Sequence, residues 1–259
     1  MTATLKLKVV LVGPPGVGKT ALVRRHVLGA FEDAYRSTLG TNVFKWTGPL
    51  DLDGRAVRVA MTVWDMAGES RVPDVLLDIH LCGAQGVLAV CDVTDAGSAA
   101  GLAPWVGAVA RVAGDVPVHV LLNKRDLGAR DDALFAGLEA GRARAAPCYV
   151  TSAKTGDNVA AAFEDLARRI AARSVVPPEG PVDDADRRLA LACATPRMAD
   201  DLSKARGMPA PIAEARLERL RRAGYVQIAS LGVDAAGRPR IAYEATGRPY
   251  NEPMLVAQR

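Results

Sequence analysis

A mostly parallel α/β sheet with one antiparallel strand, followed by a small C-terminal α+β domain, is the architecture this sequence predicts. Three observations predict it. Apolar runs rich in valine and leucine recur at 5–12, 57–64, 86–92, 116–122 and 147–151, with helically spaced stretches at 19–29, 98–113 and 159–173 between several of them. Strands alternating with helices argue a parallel sheet covered on both faces. Asp53-Gly54 joins Asn42–Leu52 to Arg55–Val63. That dipeptide supplies the positive φ angles of a tight hairpin, so one edge strand runs antiparallel. Finally, Val175-Val-Pro-Pro-Glu-Gly-Pro181 puts three prolines and a glycine in close succession. Such a stretch cannot continue a helix and reads as a stiff linker.

The bulk composition sets limits. The chain has 259 residues, 49% hydrophobic and 24% charged, enough to build a buried core in one or two domains. A formal net charge of +4 is small for this length and does not itself imply a nucleic-acid partner. Residues 1–180 carry 20 Lys/Arg against 19 Asp/Glu, and 181–259 carry 13 against 10, so most of the excess lies in the last third. Cys82, Cys91, Cys148 and Cys193 show no metal-ligand spacing and read as ordinary buried thiols in a reducing compartment. His26, His80 and His119 share no metal spacing either and read as structural. The N-terminus has no apolar leader, no run reaches the length of a membrane span, residue 2 is threonine and the last residues hold no prenylation cysteine. The expectation is a cytoplasmic protein with no membrane anchor.

Beyond the linker the pattern changes. Asp183–Ala194 has helical spacing, and Thr195-Pro-Arg-Met-Ala-Asp-Asp-Leu begins with a cap residue and a proline suited to a helix start. Pro209–Ala223 is amphipathic, with Ile212, Leu217 and Leu220 along one side, and Gly224 stops it. Strand Tyr225–Ala229, loop Gly232–Pro239 and strand Arg240–Glu244 follow. Three helices and a β-ribbon in that order resemble a winged helix. The domain boundaries expected are 1–176, a linker at 177–182, a winged-helix module at 183–248 and a tail at 249–259.

The chemistry is concentrated in the first module. Gly13-Pro-Pro-Gly-Val-Gly-Lys-Thr20 fits G-x-x-x-x-G-K-[ST] between an apolar strand and a helical stretch, the context in which this loop wraps phosphates. Glycines at 13 and 18 let backbone N–H groups turn inward, and the helix N-terminus adds partial positive charge. Lys19 is placed to reach the β- and γ-phosphates and the Thr20 hydroxyl to bind Mg²⁺. Asn123-Lys-Arg-Asp126 follows apolar Val118–Leu122, at the sheet edge where open α/β folds bind ligands. A carboxylate there accepts from guanine N1–H and its exocyclic amine, a donor pair adenine lacks.

With those motifs in order, residues 5–173 resemble the Ras-like small GTPases, in the style of the Ras and Rab branches. The resemblance implies that Thr38, in Tyr35-Arg-Ser-Thr-Leu-Gly40, is the first switch threonine and that Phe31 packs on the guanine. Trp64-Asp-Met-Ala-Gly68 matches W-D-T-A-G, with Asp65 holding Mg²⁺ through water and the Gly68 amide contacting γ-phosphate. Thr151-Ser-Ala-Lys154 matches the last motif, with the Ala153 amide at guanine O6. The nucleotide would then sit among Gly13, Pro14, Pro15, Gly16, Val17, Gly18, Lys19, Thr20, Ala21, Phe31, Tyr35, Thr38, Gly68, Asn123, Lys124, Asp126, Ser152, Ala153 and Lys154. Thr20, Thr38 and Asp65 would hold Mg²⁺, and Lys19, Thr38, Gly68 and Glu69 would serve catalysis. The partners implied are GTP or GDP and a protein effector, exchange factor or activating factor at the switches.

Two departures fall on hydrolysis. Glu69 stands where the family commonly has a glutamine that orients water; a carboxylate accepts from water but cannot donate as an amide does. Pro15 removes one loop N–H and occupies space beside the phosphates. Hydrolysis is therefore expected to be slow, with a hydrolysis-deficient GTP-binding scaffold as the alternative. Arg36 and Arg71 read as solvated switch residues. For the second module, Arg216, Arg219, Arg221, Arg222, Arg238 and Arg240 offer phosphate contacts. However, Met208-Pro-Ala-Pro-Ile-Ala-Glu-Ala215 brings no Arg, Asn or Gln to a base edge. Protein docking is the preferred role, with a GTP-gated DNA-binding regulator as the alternative.

Overall fold

The computed structural model describes residues 4–33, 40–52, 55–66, 74–143, 145–175, 182–236 and 239–247. They divide into two compact units: Met1–Ile170 with Gly232–Pro239, and Ala171–Leu231 with Arg240–Arg259.

The first unit is built on six strands: β1 (Thr4–Val12), β2 (Thr41–Leu52), β3 (Arg55–Met66), β4 (Gly86–Asp92), β5 (Val118–Asn123) and β6 (Cys148–Val150). Their order across the sheet is β2-β3-β1-β4-β5-β6. β2 pairs antiparallel with β3, Asn42 facing Asp65, while the remaining pairings are parallel. The hairpin expected from Asp53-Gly54 is thus present, although those two residues lie outside the described ones. All seven residues of β4 are buried, as expected of a central parallel strand covered on both faces. On one face Leu7, Val9 and Leu11 pack with Leu22 and Val23 of α1 (Lys19–Leu28) and Phe163, Leu166 and Ile170 of α6 (Val159–Val175).

The helices between β3 and β6 are α2 (Asp74–Leu81), α3 (Ala96–Ala100), α4 (Ala103–Val112) and α5 (Asp131–Arg142). The single helix expected over 98–113 is two. Pro104, in the first turn of α4, has no N–H to extend the ladder from α3, so the chain breaks at Gly101-Leu102. Neither α2 nor α5 stood out as a helical stretch in the sequence. The buried positions of α5 are Ala133, Gly137 and Gly141, a seam of small residues rather than an apolar stripe. A Cβ on Gly137 would lie 2.6 Å from Leu122 Cδ2, so this helix approaches β5 closely because its contact residues are small.

The second unit runs α7 (Asp184–Ala192), β7 (Arg197–Met198), α8 (Ala199–Arg206), α9 (Ala210–Arg222), β8 (Val226–Val233) and β9 (Pro239–Ala245). Its sheet order is β7-β9-β8, and β7 pairs antiparallel with β9. The expected helix start at Thr195-Pro196 is displaced: the chain first forms β7, and α8 begins at Ala199. Pairing of Arg197 with Tyr243 extends this backbone, a tertiary contact that overrides the local start signal. Leu189, Cys193, Leu202, Leu217, Leu220, Tyr225 and Tyr243 form this unit's core. Asp183 and Asp186 cap α7 reciprocally, each side chain accepting from the other's backbone amide.

Three of the cysteines are buried, as expected, but Cys82 is exposed. Burial pushes the Cys91 and Cys148 thiols up to about 12 and Cys193 up to about 11. The histidines take structural places. His26 stacks on Phe163 at 4.1 Å between ring centroids, His80 bonds Thr41 Oγ1 at 2.8 Å, and His119 is fully buried. Among the described residues no helix is long and apolar enough to cross a membrane.

Candidate nucleotide site

Parallel pairing brings the carboxyl ends of β1, β3, β5 and β6 to one edge of the sheet, where four of the sequence motifs lie. The loop Gly13–Gly18 follows Val12, Asp65 is the penultimate residue of β3, Asn123 ends β5, and Thr151 follows β6.

The loop's shape depends on two glycines. Gly13 has φ 137° and Gly18 φ 95°, conformations that residues with a Cβ avoid. Space is equally restrictive: a Cβ on Gly13 would collide with the Val90 carbonyl, and one on Gly18 with the Asn123 amide. Lys19 opens α1 and is 6% exposed, its ammonium donating to the carbonyls of Gly13 at 2.8 Å and Pro14 at 2.7 Å. Burial lowers its pKa to about 8, with Asp65 opposing that shift. A buried ammonium among neutral carbonyls at a helix N-terminus gains from an anion such as phosphate. Pro14 is half-buried, Pro15 and Gly16 are exposed, and Val17 is buried. Ala21, in the first turn of α1, packs against the core.

Thr20 and Asp65 stand together as the candidate cation side. Thr20 Oγ1 donates to Asp65 Oδ2 at 2.6 Å. Asp65 is 0% exposed and its Oδ1 has no hydrogen-bond partner among the described residues. Burial raises its pKa, while Thr20, Lys19 and Asn42 pull it down. A buried carboxylate oxygen without a donor, beside a hydroxyl, is the hard-oxygen environment a divalent cation such as Mg²⁺ takes. These residues fit that ion.

Asn123 links the two halves of the site. It is 0% exposed. Its Nδ2 donates to the Val17 carbonyl of the phosphate loop at 2.9 Å, while Oδ1 accepts from the Ala153 amide at 3.2 Å and Thr151 Oγ1 at 3.3 Å. Ser152 Oγ donates to Asp126 Oδ1 at 2.6 Å, which fixes the carboxylate while leaving its second oxygen to a ligand. Lys124 adopts a left-handed conformation, φ 68°, and its ammonium pairs with Asp92 Oδ2 at 2.6 Å. Burial would raise Asp92, but Lys124 and two bonds from Thr94 hold it below the usual carboxylate range. Lys154 Nζ pairs with Asp33 at 2.9 Å and lies 5.9 Å from the Phe31 ring centroid.

The expected residues from Gly13 to Ala21, with Phe31, Asp65, Asn123, Lys124, Asp126, Ser152, Ala153 and Lys154, therefore occupy one sheet edge and the loops above it. Tyr35, Thr38, Gly68 and Glu69, with Arg36 and Arg71, lie outside the described residues. Asp92 was not among the expected site residues. Its signal was a carboxylate at the carboxyl end of a wholly apolar strand.

Fold and loop together define a phosphate-loop α/β protein. A Ras family model matches residues 8–172. Ras-related protein Rab-21 of Geodia cydonium is 36% identical over 170 residues, 65% of this chain and 72% of its own length. Ras-related protein Rab-13 of Canis lupus familiaris is 33% identical over 169 residues, covering 64% and 81% respectively. For GTP-binding protein YPT53 of Saccharomyces cerevisiae the identity is 31% over 180 residues, covering 64% and 77%. The chain belongs to the Ras family and is a Ras-like small GTPase.

Proposed function

We propose that this GTPase is an Mg²⁺-dependent switch that hydrolyses GTP slowly and couples its nucleotide state to a protein-docking winged-helix module. The observation that carries the reading is Asn123, whose amide joins the phosphate loop to the Ala153 turn. Base recognition and phosphate binding thereby act on one rigid unit. Asp126 selects guanine by accepting from N1–H and the exocyclic amine, and the Ala153 amide donates to O6. Lys19 exchanges its loop carbonyls for phosphate oxygens. Thr20, Thr38 and Asp65 would hold Mg²⁺, which would supply positive charge against the phosphates. Thr38 and the Gly68 amide sense γ-phosphate, ordering the switch segments until hydrolysis releases them.

Slow hydrolysis follows from Glu69 and Pro15. Single-turnover phosphate release from GTP tests it: release above the free-nucleotide background, accelerated in Glu69→Gln, is expected. Tight GTP binding with no release at all would instead mark a hydrolysis-deficient scaffold.

The module is taken as residues 183–248, after a domain at 1–176 and a linker at 177–182, with a tail at 249–259. The order α7-β7-α8-α9-β8-β9 and sheet order β7-β9-β8 support a winged helix. The arginines of α9 support docking of protein over DNA. Arg216 pairs with Asp183 at 2.7 Å and Asp186 at 2.9 Å, Arg219 pairs with Asp186, and Arg221 pairs with Glu218 at 2.7 Å. Charges neutralised inside the module are not offered to phosphates. DNA binding at low salt that differs between GDP and GTP-analogue forms would overturn this preference. A cytoplasmic location is part of the proposal.

A further inference from the structure

We infer that Arg25 is a positioning residue for base recognition, holding the turn at 151–154 by two successive carbonyls so that the Ala153 amide faces the purine. The inference rests on the guanine-nucleotide reading above. Arg25 is half-buried on α1, the helix that the phosphate loop opens. Its Nε donates to the Ala153 carbonyl at 2.7 Å and its Nη2 to the Lys154 carbonyl. Nη1 donates to the Gly29 carbonyl at 3.1 Å, just past the end of α1. A planar guanidinium with donors in a fixed fork suits three such acceptors; an ammonium, a point donor on a flexible stem, does not.

The consequence is directional. The Ala153 carbonyl is drawn towards α1, while its amide donates to Asn123 Oδ1 at 3.2 Å, a bond it gives up or shares when guanine O6 accepts from it. Because each peptide unit is planar, fixing the Ala153 and Lys154 carbonyls also fixes the planes that follow them. The other ties on this turn come from within it and from the end of β5: the Gly156 amide donates to the Ser152 carbonyl at 2.8 Å, the Arg125 amide donates to the Thr151 carbonyl at 3.1 Å, and Ser152 Oγ donates to Asp126. Arg25 adds a tie from the helix that starts at Lys19. Phosphate cradle and base-reading turn are thereby referred to the same element, and a shift of the turn costs O6 its donor first, because the phosphate loop is held through a different atom of Asn123, the Nδ2 that donates to Val17.

The test compares the full-length chain with Arg25→Met and Arg25→Lys, using GDP and 2-aminopurine riboside diphosphate as probes. The second probe keeps the sugar, the diphosphate and the 2-amino group but lacks O6 and the N1 hydrogen. Arg25→Met is expected to weaken GDP by about tenfold, the scale of one or two lost hydrogen bonds, and to leave the analogue nearly unchanged. Arg25→Lys falls closer to Met than to wild type. Equal losses for both probes, or no loss for GDP, would overturn the inference. If Arg25→Met does not fold, as judged by circular dichroism, Arg25→Lys carries the same comparison. Failure of the wild-type chain to bind GDP would refute the guanine-nucleotide reading itself, a distinguishable result.

Discussion

Replacing Asn123 by alanine separates the phosphate loop from the base-reading turns, and its cost can be worked from three contacts. The Nδ2 bond to the Val17 carbonyl is 2.9 Å long, whereas those from the Ala153 amide and Thr151 Oγ1 are 3.2 and 3.3 Å. The side chain is 0% exposed, so water does not readily replace what is lost. A sound bond is worth ~1 kcal/mol net, longer ones about half that, and each polar group left buried without a partner adds ~1 kcal/mol or more. With three partners orphaned, the sum is about 5 kcal/mol. For a protein of this size 1 kcal/mol moves the midpoint by ~2–4 °C, so the melt should fall by about 10–20 °C. Scanning calorimetry with and without GDP and Mg²⁺ measures it, and GDP affinity should fall in parallel. A melt within about 2 °C of wild type together with unchanged GDP affinity would show that Asn123 does not join the two halves.

Four further predictions concern other parts of the molecule. Gly18→Ala should abolish GDP binding, because φ is 95° and the new Cβ meets the Asn123 amide. Gly107→Ala, in exposed space on α4, should instead stabilise by ~0.5–1 kcal/mol in urea titrations. Asp186→Ala leaves Arg219, 8% exposed, without its buried carboxylate and should destabilise the second unit by ~3–5 kcal/mol. Asp186→Leu combined with Arg219→Met should recover most of that loss in urea unfolding, and a double variant as unstable as the single one would refute the argument. His26 has its pKa lowered to about 4 by burial, from 6.5. The unfolded chain therefore takes up the proton first, and stability present above pH ~6.5 is lost as pH falls towards ~4, by about 3 kcal/mol in total. His26→Phe, at a ring stacked on Phe163 and tilted against Trp46, should remove its share of that acid limb in pH-dependent melts, leaving the share of His119, which burial also lowers to about 4. An unchanged limb would reject the assignment.

The parts legible in the sequence are those where adjacent residues carry the physics. Val87–Cys91 had to be a covered strand because six consecutive residues from Gly86 carry no charged or hydroxyl side chain to turn towards water. Loop Gly13–Thr20 was legible because its chemistry is local: glycines for backbone donors, a lysine and a hydroxyl at fixed offsets. α5 was not, because its buried side is Ala133, Gly137 and Gly141, and closeness to β5 rather than hydrophobicity makes the contact. Arg216 and Arg219 of α9 read as cations open to phosphates because nothing local reveals Asp183 and Asp186, 30 or more residues earlier, folding back onto them. Asp92 and Arg25 escaped notice for the same reason: their partners, Lys124 and the Ala153 carbonyl, are distant in sequence.

By itself, the sequence determined the nucleotide chemistry of this GTPase and the antiparallel hairpin, through spacing and turn residues that act within a few bonds. The tertiary structure decided which charges are free and which are spent, and how the separate motifs become one site. Parallel pairing brings Val12, Asp65, Asn123 and Thr151 to a common edge. Buried hydrogen bonds such as that from Asn123 to Val17 then hold them, because polar groups taken out of water must find one another across the chain.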